Sequence, residues 1–185
     1  MYDLEQFLEP VDINIIRDDV SFYDKQFGNS IEVYSESFPE LKDADVIIVG
    51  VNEYRGAGFM SDDNPADAVR EKLYKLFYWH ADVKVADIGN IKNGATLNDT
   101  YSCLKTVLKD FAGSGKSVVI IGGSHDLTLA QSRVYSDAGK FTEATVIDAC
   151  IDLQSESLNR NENFLMEMLT QEPNYVRHYN HIGFQ

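Results

Sequence analysis

The stretch SVVIIGGSHDLTLAQSRVYSDAGKFTEATVIDACID, residues 117–152, decides the fold class of this chain. Its apolar run at 117–123 predicts a buried strand, residues 126–139 have the pattern of a helix, and the run at 143–149 predicts a second strand. A strand, a helix and a further strand at this spacing are typical of a βαβ unit, whose two strands are parallel.

The same alternation extends on both sides of this stretch. Asn64 is a candidate N-cap and Pro65 a candidate first helical residue, so together they predict where one helix begins. The flanking segments predict strands at 44–51, 83–89 and 174–185 and helices at 64–79, 97–115 and 161–171. We therefore expect an α/β fold, a three-layer sandwich with a mainly parallel sheet that is covered on both faces.

The pattern divides the chain into two parts. Residues 1–43 are an irregular N-terminal segment with one candidate strand at SIEVYS (30–35), and residues 44–185 form the α/β domain. The domain ends on HIGFQ (181–185), a strand pattern with no covering helix after it. Since a bare strand would leave apolar surface in water, we expect the domain to be incomplete at its C-terminus and the chain to be a fragment.

Composition excludes several classes of partner. The 185-residue chain carries a net charge of −14, from 30 acidic and 16 basic side chains. Such a surface repels phosphate backbones and anionic lipid, so neither nucleic acid nor a membrane is an expected partner. The two cysteines are too few for a disulfide framework and are interpreted as reduced thiols. With no secretory pattern and no apolar stretch of ~20 residues, the predicted compartment is the cytoplasm.

Residues that follow the predicted strands are the candidates for chemistry, because ligands of parallel sheets bind beyond the carboxyl ends of the strands. His125 stands in GGSHD (122–126), after one strand. The alternative is that Ser124 or Asp126 caps the next helix and His125 is an ordinary loop residue. On the loop NEYRGAG (52–58), Arg55 is interpreted as solvated rather than as a substrate ligand.

The next strand is followed by two carboxylates, Asp148 and Asp152, with Cys150 between them. The alternative interpretation makes Asp148 a turn cap and Asp152 a solvated loop residue. If both lie beside His125, however, the crowded negative charge requires a cation or a shared proton. A hard divalent metal ion satisfies that requirement.

These motifs resemble those of the arginase/agmatinase/formiminoglutamase family, the ureohydrolases. That family has a Gly-Gly-x-His motif after one strand and an Asp-Ala-His-x-Asp motif after the next, and this chain reads GGSHD and DACID there. The segments VIIVGVNEYRGAG, NPADAVREKLYKL and VADIGNI are similar, in order, to the family's opening strand, helix and strand. The resemblance is good over residues 44–153 and looser elsewhere.

The resemblance implies a two-manganese hydrolase of C–N bonds in guanidino or formimino compounds, with a small-molecule amidine or guanidino substrate. His125 and Asp152 would bind the first metal, and Asp148 would bridge both. Cys150 replaces the histidine of the second metal, Ser124 replaces an aspartate, and the family's third motif would lie beyond Gln185. These departures predict that manganese is absent or weakly bound, that zinc, which accepts thiolate, is preferred over manganese if an ion binds, and that an empty site is more common than either.

Two functions stay open. In the first, the full-length protein is a metal-dependent hydrolase and this chain alone is inactive. In the second, it is a non-catalytic relative of the same fold that acts in binding or assembly. A nucleotide-binding protein is disfavoured, since no G-x-G-x-x-G or Walker pattern follows any strand. Catalytic residues, substrate identity and a homo-oligomeric state are not resolved by the sequence.

Overall fold

The computed structural model describes residues 3–16, 23–60, 64–80, 82–154 and 156–185. Apolar and β-branched runs form its strands, and two of these, at 46–50 and 85–91, are almost wholly buried. Within the ranges just given there are seven strands: β1 (Leu8–Glu9), β2 (Glu32–Val33), β3 (Val46–Gly50), β4 (Val85–Ile91), β5 (Ser117–Ile121), β6 (Thr142–Ile147) and β7 (Val176–Ile182).

The strands form a mainly parallel α/β arrangement. In the larger sheet β3 lies between β4 and β5 and is parallel to both, with Val46 opposite Val85 on one side and Ser117 on the other. The short strands β1 and β2 pair with β4, β1 antiparallel and β2 parallel. The N-terminal segment therefore contributes two short strands to this sheet, and the candidate strand at 30–35 is present as β2.

The described part of the chain also contains six α-helices. They are α1 (Ile13–Ile16), α2 (Phe27–Ser30), α3 (Pro65–Leu73), α4 (Leu97–Phe111), α5 (Thr128–Asp137) and α6 (Arg160–Thr170). The predicted start of α3 is confirmed, because the Asn64 side chain accepts a hydrogen bond from the Asp67 N–H and Pro65 is the first helical residue. None of the helices in the described ranges is long and apolar enough to cross a membrane.

The helix predicted at 64–79 ends at Leu73, six residues early. Past that point the carbonyl groups of Tyr74 and Leu76 accept hydrogen bonds from the N–H groups of Gly28 and Phe27. The N-terminal segment thus binds backbone carbonyl groups that would otherwise accept hydrogen bonds within a longer helix. Helix propensity, which depends on the local sequence, does not predict this tertiary effect.

The parallel sheet is divided in two. Strands β6 and β7 form a separate two-stranded sheet, and no strand of the described residues pairs with the second edge of β5. Consequently Val119 on β5 is 45% exposed, and residues along β6 alternate between half-buried and exposed. The expected covering on both faces therefore holds for β3 and β4 but not for β5 and β6.

Helix α5 joins the two sheets through apolar packing. Its residues Ala130 and Val134 belong to the core beneath β3 and β4, together with Leu104 of α4. Its residue Leu129 packs instead with Phe164 and other apolar residues of α6, which lie against β6 and β7. Because one helix contributes to both cores, α5 fixes how the carboxyl ends of β5 and β6 sit relative to each other.

A buried guanidinium ties α3 to β4. Arg70 on α3 is 0% exposed, and its Nε and Nη2 donate to the two carboxylate oxygens of Asp87 on β4, each at 2.8 Å. Tyr74 donates to the same carboxylate, and Asp67 and Asn90 accept from Arg70 Nη1. Burial alone would lower the pKa of Arg70, but the hydrogen bonds and charge of Asp87 outweigh burial and raise it.

We expect Asp87→Ala to lower the free energy of unfolding by about 3–5 kcal/mol, because it leaves the Arg70 guanidinium buried without its carboxylate. Urea denaturation measures the loss. The matched control is Asp43→Ala, which removes an exposed ion pair to Lys84 and should cost less than about 1 kcal/mol. Equal losses in the two variants would contradict the assignment of this pair as structural, and Asp87→Asn replaces Asp87→Ala if the latter does not fold.

Candidate metal centre

Two glycines at the end of β5 set the position of His125. Gly122 and Gly123 have φ values of 86° and 79°, in the left-handed region that side chains disfavour. A Cβ at Gly122 would also lie 2.9 Å from the Val51 carbonyl oxygen. The chain therefore turns sharply above the strand, and His125 begins a short 3₁₀ turn at the carboxyl edge of the sheet.

The backbone around His125 is held by partners from distant segments. The Gly123 N–H donates to the Tyr54 hydroxyl at 3.1 Å, and the Ser124 N–H donates to the Glu53 carbonyl at 3.0 Å. The His125 N–H donates to Oδ1 of Asn161, in the first turn of α6, at 2.8 Å. These three bonds fix the loop that carries the imidazole, whose ring stays 54% exposed.

The two carboxylates that follow β6 converge on the same imidazole. His125 Nδ1 lies 3.0 Å from Asp152 Oδ2 and 3.5 Å from Asp148 Oδ2. One ligand atom of each residue lies within 4.8 Å of the others. The structure thus brings together His125, Asp148 and Asp152, which sequence reasoning had placed on two different strand ends.

A tight turn orients Asp148. The Cys150 N–H donates to Asp148 Oδ1 at 3.0 Å, which leaves Oδ2 on the side of His125. This hydrogen bond is the main cause that lowers the pKa of Asp148 below its ordinary value, and the charge of His125 lowers it further. Asp148 is therefore an ionised carboxylate at neutral pH, as a metal ligand must be.

The chemistry of the three side chains fits a divalent metal ion. An imidazole nitrogen and two carboxylate oxygens are ligands that manganese and zinc both accept. Two negative charges balance one divalent ion, and the neighbouring solvent leaves room for water as a further ligand. His125, Asp148 and Asp152 could therefore hold such an ion.

Cys150 has a different place from the other motif residues. Among the described residues, His125, Asp148 and Asp152 form the one group of three or more metal-ligating side chains, and the Cys150 thiol is not in it. The thiol is exposed and unbridged, as is the half-buried thiol of Cys103. Cys150 acts on the site through its backbone N–H instead.

Ser124 and Asp126 do not cap the following helix. The N-terminus of α5 has no side-chain cap, and the Ser124 hydroxyl donates to the Glu53 carbonyl at 3.3 Å. Asp126 is fully buried, where its carboxylate accepts a hydrogen bond from the Tyr101 hydroxyl. The capping alternative is therefore wrong, because tertiary partners take up both side chains.

Arg55 was expected to be solvated, but the structure shows that it clamps two loops. Its Nε donates to the buried carboxylate of Glu53 at 2.9 Å, and its Nη1 and Nη2 donate to the carbonyls of Ala95 and Gly94. Burial alone would raise the pKa of Glu53, but the hydrogen bonds and charge of Arg55 hold it below its ordinary value. Arg55 thus joins the loops that follow β3 and β4.

Comparison with known families gives one clear match. A sequence model of the arginase family matches residues 44–185 of this chain. No curated protein sequence matches it.

Solved structures show the same fold at low sequence identity. A formiminoglutamase from Trypanosoma cruzi, solved with manganese, is 19% identical with a TM-score of 0.67 and aligns with 80% of this chain and 55% of its own. A formimidoylglutamase from Bacillus subtilis is 14% identical with a TM-score of 0.70, and the match covers 89% of this chain and 55% of the B. subtilis chain. A hypothetical agmatinase from Burkholderia thailandensis is 15% identical with a TM-score of 0.66, and the match covers 93% of this chain and 60% of the B. thailandensis chain. The chain thus spans 55–60% of the length of these structures.

We expect Arg55→Ala to lower the free energy of unfolding by roughly 2 kcal/mol, since the Glu53 carboxylate stays buried without its cation. The loss is smaller than for a fully buried pair because Arg55 is 26% exposed. Arg177→Ala is the control, because its exposed guanidinium lies over the Phe141 ring, and it should cost less than about 1 kcal/mol. Chemical denaturation of both variants checks the difference, and an Arg55 variant as stable as the control would refute the clamp.

Proposed function

This chain belongs to the arginase family, and from that membership we propose that the full-length protein hydrolyses a C–N bond of a guanidino or formimino compound. The substrate is a small-molecule amidine of the formiminoglutamase, arginase or agmatinase type. By itself the 185-residue chain is proposed to bind metal without turnover. The cytoplasm remains the predicted compartment, and no nucleic acid or membrane partner is expected.

One observation carries this proposal. The ligand atoms of His125, Asp148 and Asp152 lie within 4.8 Å of one another beyond the carboxyl ends of β5 and β6, each of which pairs in parallel with another strand. That edge is where ligands of parallel sheets bind. The three side chains also come from the two motifs that resemble those of the family, so geometry and motif agree.

Each residue has a separate task in the proposed reaction. His125 would supply a ring nitrogen to the ion, Asp148 would supply Oδ2, and Asp152 would supply a second carboxylate oxygen. The Cys150 N–H keeps Asp148 ionised and oriented, and Asn161 fixes the backbone of His125. When bound, a divalent metal ion supplies Lewis-acid chemistry, by which water is activated for attack on the amidine-type carbon.

The proposed ion is manganese in a full-length protein and zinc in this chain. The T. cruzi formiminoglutamase was solved with manganese. The imidazole and two carboxylates of this chain are ligand types that manganese accepts. Manganese nevertheless prefers six ligands, of which this chain provides three. Zinc is satisfied by four ligands, so the three side chains together with water would suffice to hold it.

The second candidate is a non-catalytic member of the family. Cys150 favours it, because this position holds a thiol where the family motif has an imidazole, and that thiol is not part of the metal-ligating group. Such a protein would retain the fold for binding or assembly. Activity of the complete gene product distinguishes the two candidates.

We expect the metal-loaded complete gene product to release urea or formamide from arginine, agmatine or formiminoglutamate, and His125→Ala to abolish that release. The 185-residue chain, assayed in parallel, should give no release above a metal-only blank. Metal content is measured on each sample, so that a lack of turnover is not confused with a lack of metal. A complete product that holds metal but releases nothing would favour the non-catalytic candidate.

We also expect Asn161→Ala to weaken zinc binding by about tenfold, because it frees the backbone that carries His125. Asn161→Asp retains an acceptor oxygen and should restore the affinity. Asn163→Ala is the matched control on α6, since the Asn163 side chain donates to the Ser157 carbonyl rather than to His125. Titration calorimetry checks the three variants, and equal effects of Asn161→Ala and Asn163→Ala would reject a positioning role for Asn161.

A further inference from the structure

Strand β7 presents two polar side chains to the turn that carries Asp148. Tyr179 and His181 on this strand are half-buried, whereas the neighbouring His178 is exposed. Residues two apart in a strand share a face, so Tyr179 and His181 lie on the same side of β7. The Tyr179 ring packs on that side against the apolar cluster around Phe164 of α6. The proposed function assigns no task to either side chain.

Both backbone groups of Asp148 are bonded to the end of β7. Its N–H donates to the Ile182 carbonyl at 3.0 Å. Its own carbonyl oxygen lies 2.8 Å from His181 Nε2. Because a carbonyl group can only accept, Nε2 carries the hydrogen of this bond. The chain leaves β6 at this point, so a side chain of β7 holds the carbonyl group from which the turn to the candidate metal centre starts.

The imidazole of His181 is itself held by its neighbours. The Tyr179 hydroxyl lies 2.7 Å from His181 Nδ1, and with hydrogen on Nε2 the Nδ1 atom of a neutral imidazole accepts, so the hydroxyl donates. Burial, and then the charges of Asp152 and Asp148, raise the pKa of Tyr179, which keeps this hydroxyl protonated. The Phe184 ring meets the imidazole edge to face at 6.1 Å. Two directional bonds and one ring contact therefore fix the imidazole.

We propose that His181 is a positioning residue for Asp148, and that Tyr179 fixes His181 for this task. The inference deepens the proposed function, because it rests on Asp148 being a metal ligand. The Cys150 N–H orients Oδ1 from within the turn, and His181 holds the backbone of the same residue from β7. Together they keep Oδ2 on the side of His125 before any ion arrives, which lowers the entropy that binding would cost.

A positioning role and a purely structural role have different consequences. If the His181 bond only stabilises the fold, its loss lowers the free energy of unfolding and leaves the zinc affinity of the folded molecules unchanged. If the bond favours the ion-binding geometry of Asp148, its loss weakens zinc binding to the folded chain. Coupling of this kind is reciprocal, so a bound ion would strengthen the His181 bond by the same factor.

The experiment combines zinc titration calorimetry with NMR of the His181 ring nitrogens, on the folded 185-residue chain at mildly alkaline pH. We expect hydrogen on Nε2 and none on Nδ1 in the metal-free wild type. His181→Leu should weaken zinc binding by about tenfold and Tyr179→Phe by about threefold. His181→Gln should recover most of the affinity, because its amide offers both a donor and an acceptor. His178→Leu is the matched control, since it removes an exposed imidazole from the same strand and should leave zinc affinity unchanged.

Several results would overturn the proposal. They are hydrogen on Nδ1 instead of Nε2, wild-type zinc affinity in Tyr179→Phe and His181→Leu, no recovery in His181→Gln, or equal losses in His181→Leu and His178→Leu. Tyr179→Phe and the ring-nitrogen signals keep the test decisive if His181→Leu does not fold. A wild type that binds no zinc would reject the metal centre and this inference with it. Unchanged affinities beside an active complete gene product would reject only the positioning role, and weakened affinities beside an inactive product would reject only the hydrolase.

Discussion

The ion pair between Arg70 and Asp87 is the interaction on which the rest of the fold depends. It places a full positive charge inside the molecule, where only a paired carboxylate with further hydrogen bonds makes burial tolerable. Gly50 on β3 is part of the same arrangement, since a Cβ there would lie 1.9 Å from Asn90 Oδ1. One helix and the two central strands are thus locked in a single register, and that register sets where the loops at the carboxyl edge begin.

The candidate metal centre is built on those loops through polar contacts rather than through a shared apolar pocket. Glu53 connects two of them, because its carbonyl accepts the Ser124 N–H and its carboxylate binds Arg55. Arg55 in turn holds the loop after β4. His125 is therefore positioned by residues that are distant in the chain, since Glu53 precedes it by 72 residues. Its side chain nevertheless remains open to solvent.

The centre also spans the gap between the two sheets. His125 follows β5 and the two aspartates follow β6, yet these strands share no ladder of hydrogen bonds. Their relative position rests on α5 and α6, whose apolar contacts include Leu129 with Phe164. The Asn161 bond to His125 crosses the same gap. An ion bound to all three side chains would add a further link between the sheets, so binding and stability of this half are coupled.

The sequence by itself determined the strand–helix alternation, the parallel fold class, the start of α3 and the residues at the strand ends, because these depend on local periodicity and capping. It also predicted that His125, Asp148 and Asp152 lie together as candidate ligands, since carboxyl ends of parallel strands meet at one edge. Only the tertiary structure decided that Arg55 is clamped, that Asp126 is buried and that the Cys150 thiol lies outside the group. The first two outcomes depend on partners that are remote in sequence and leave no local periodicity: Gly94 and Ala95 for Arg55, and Tyr101 for Asp126. The division of the strands into two sheets was also decided only by the tertiary structure. An apolar run predicts that a strand forms but not which strand pairs with it.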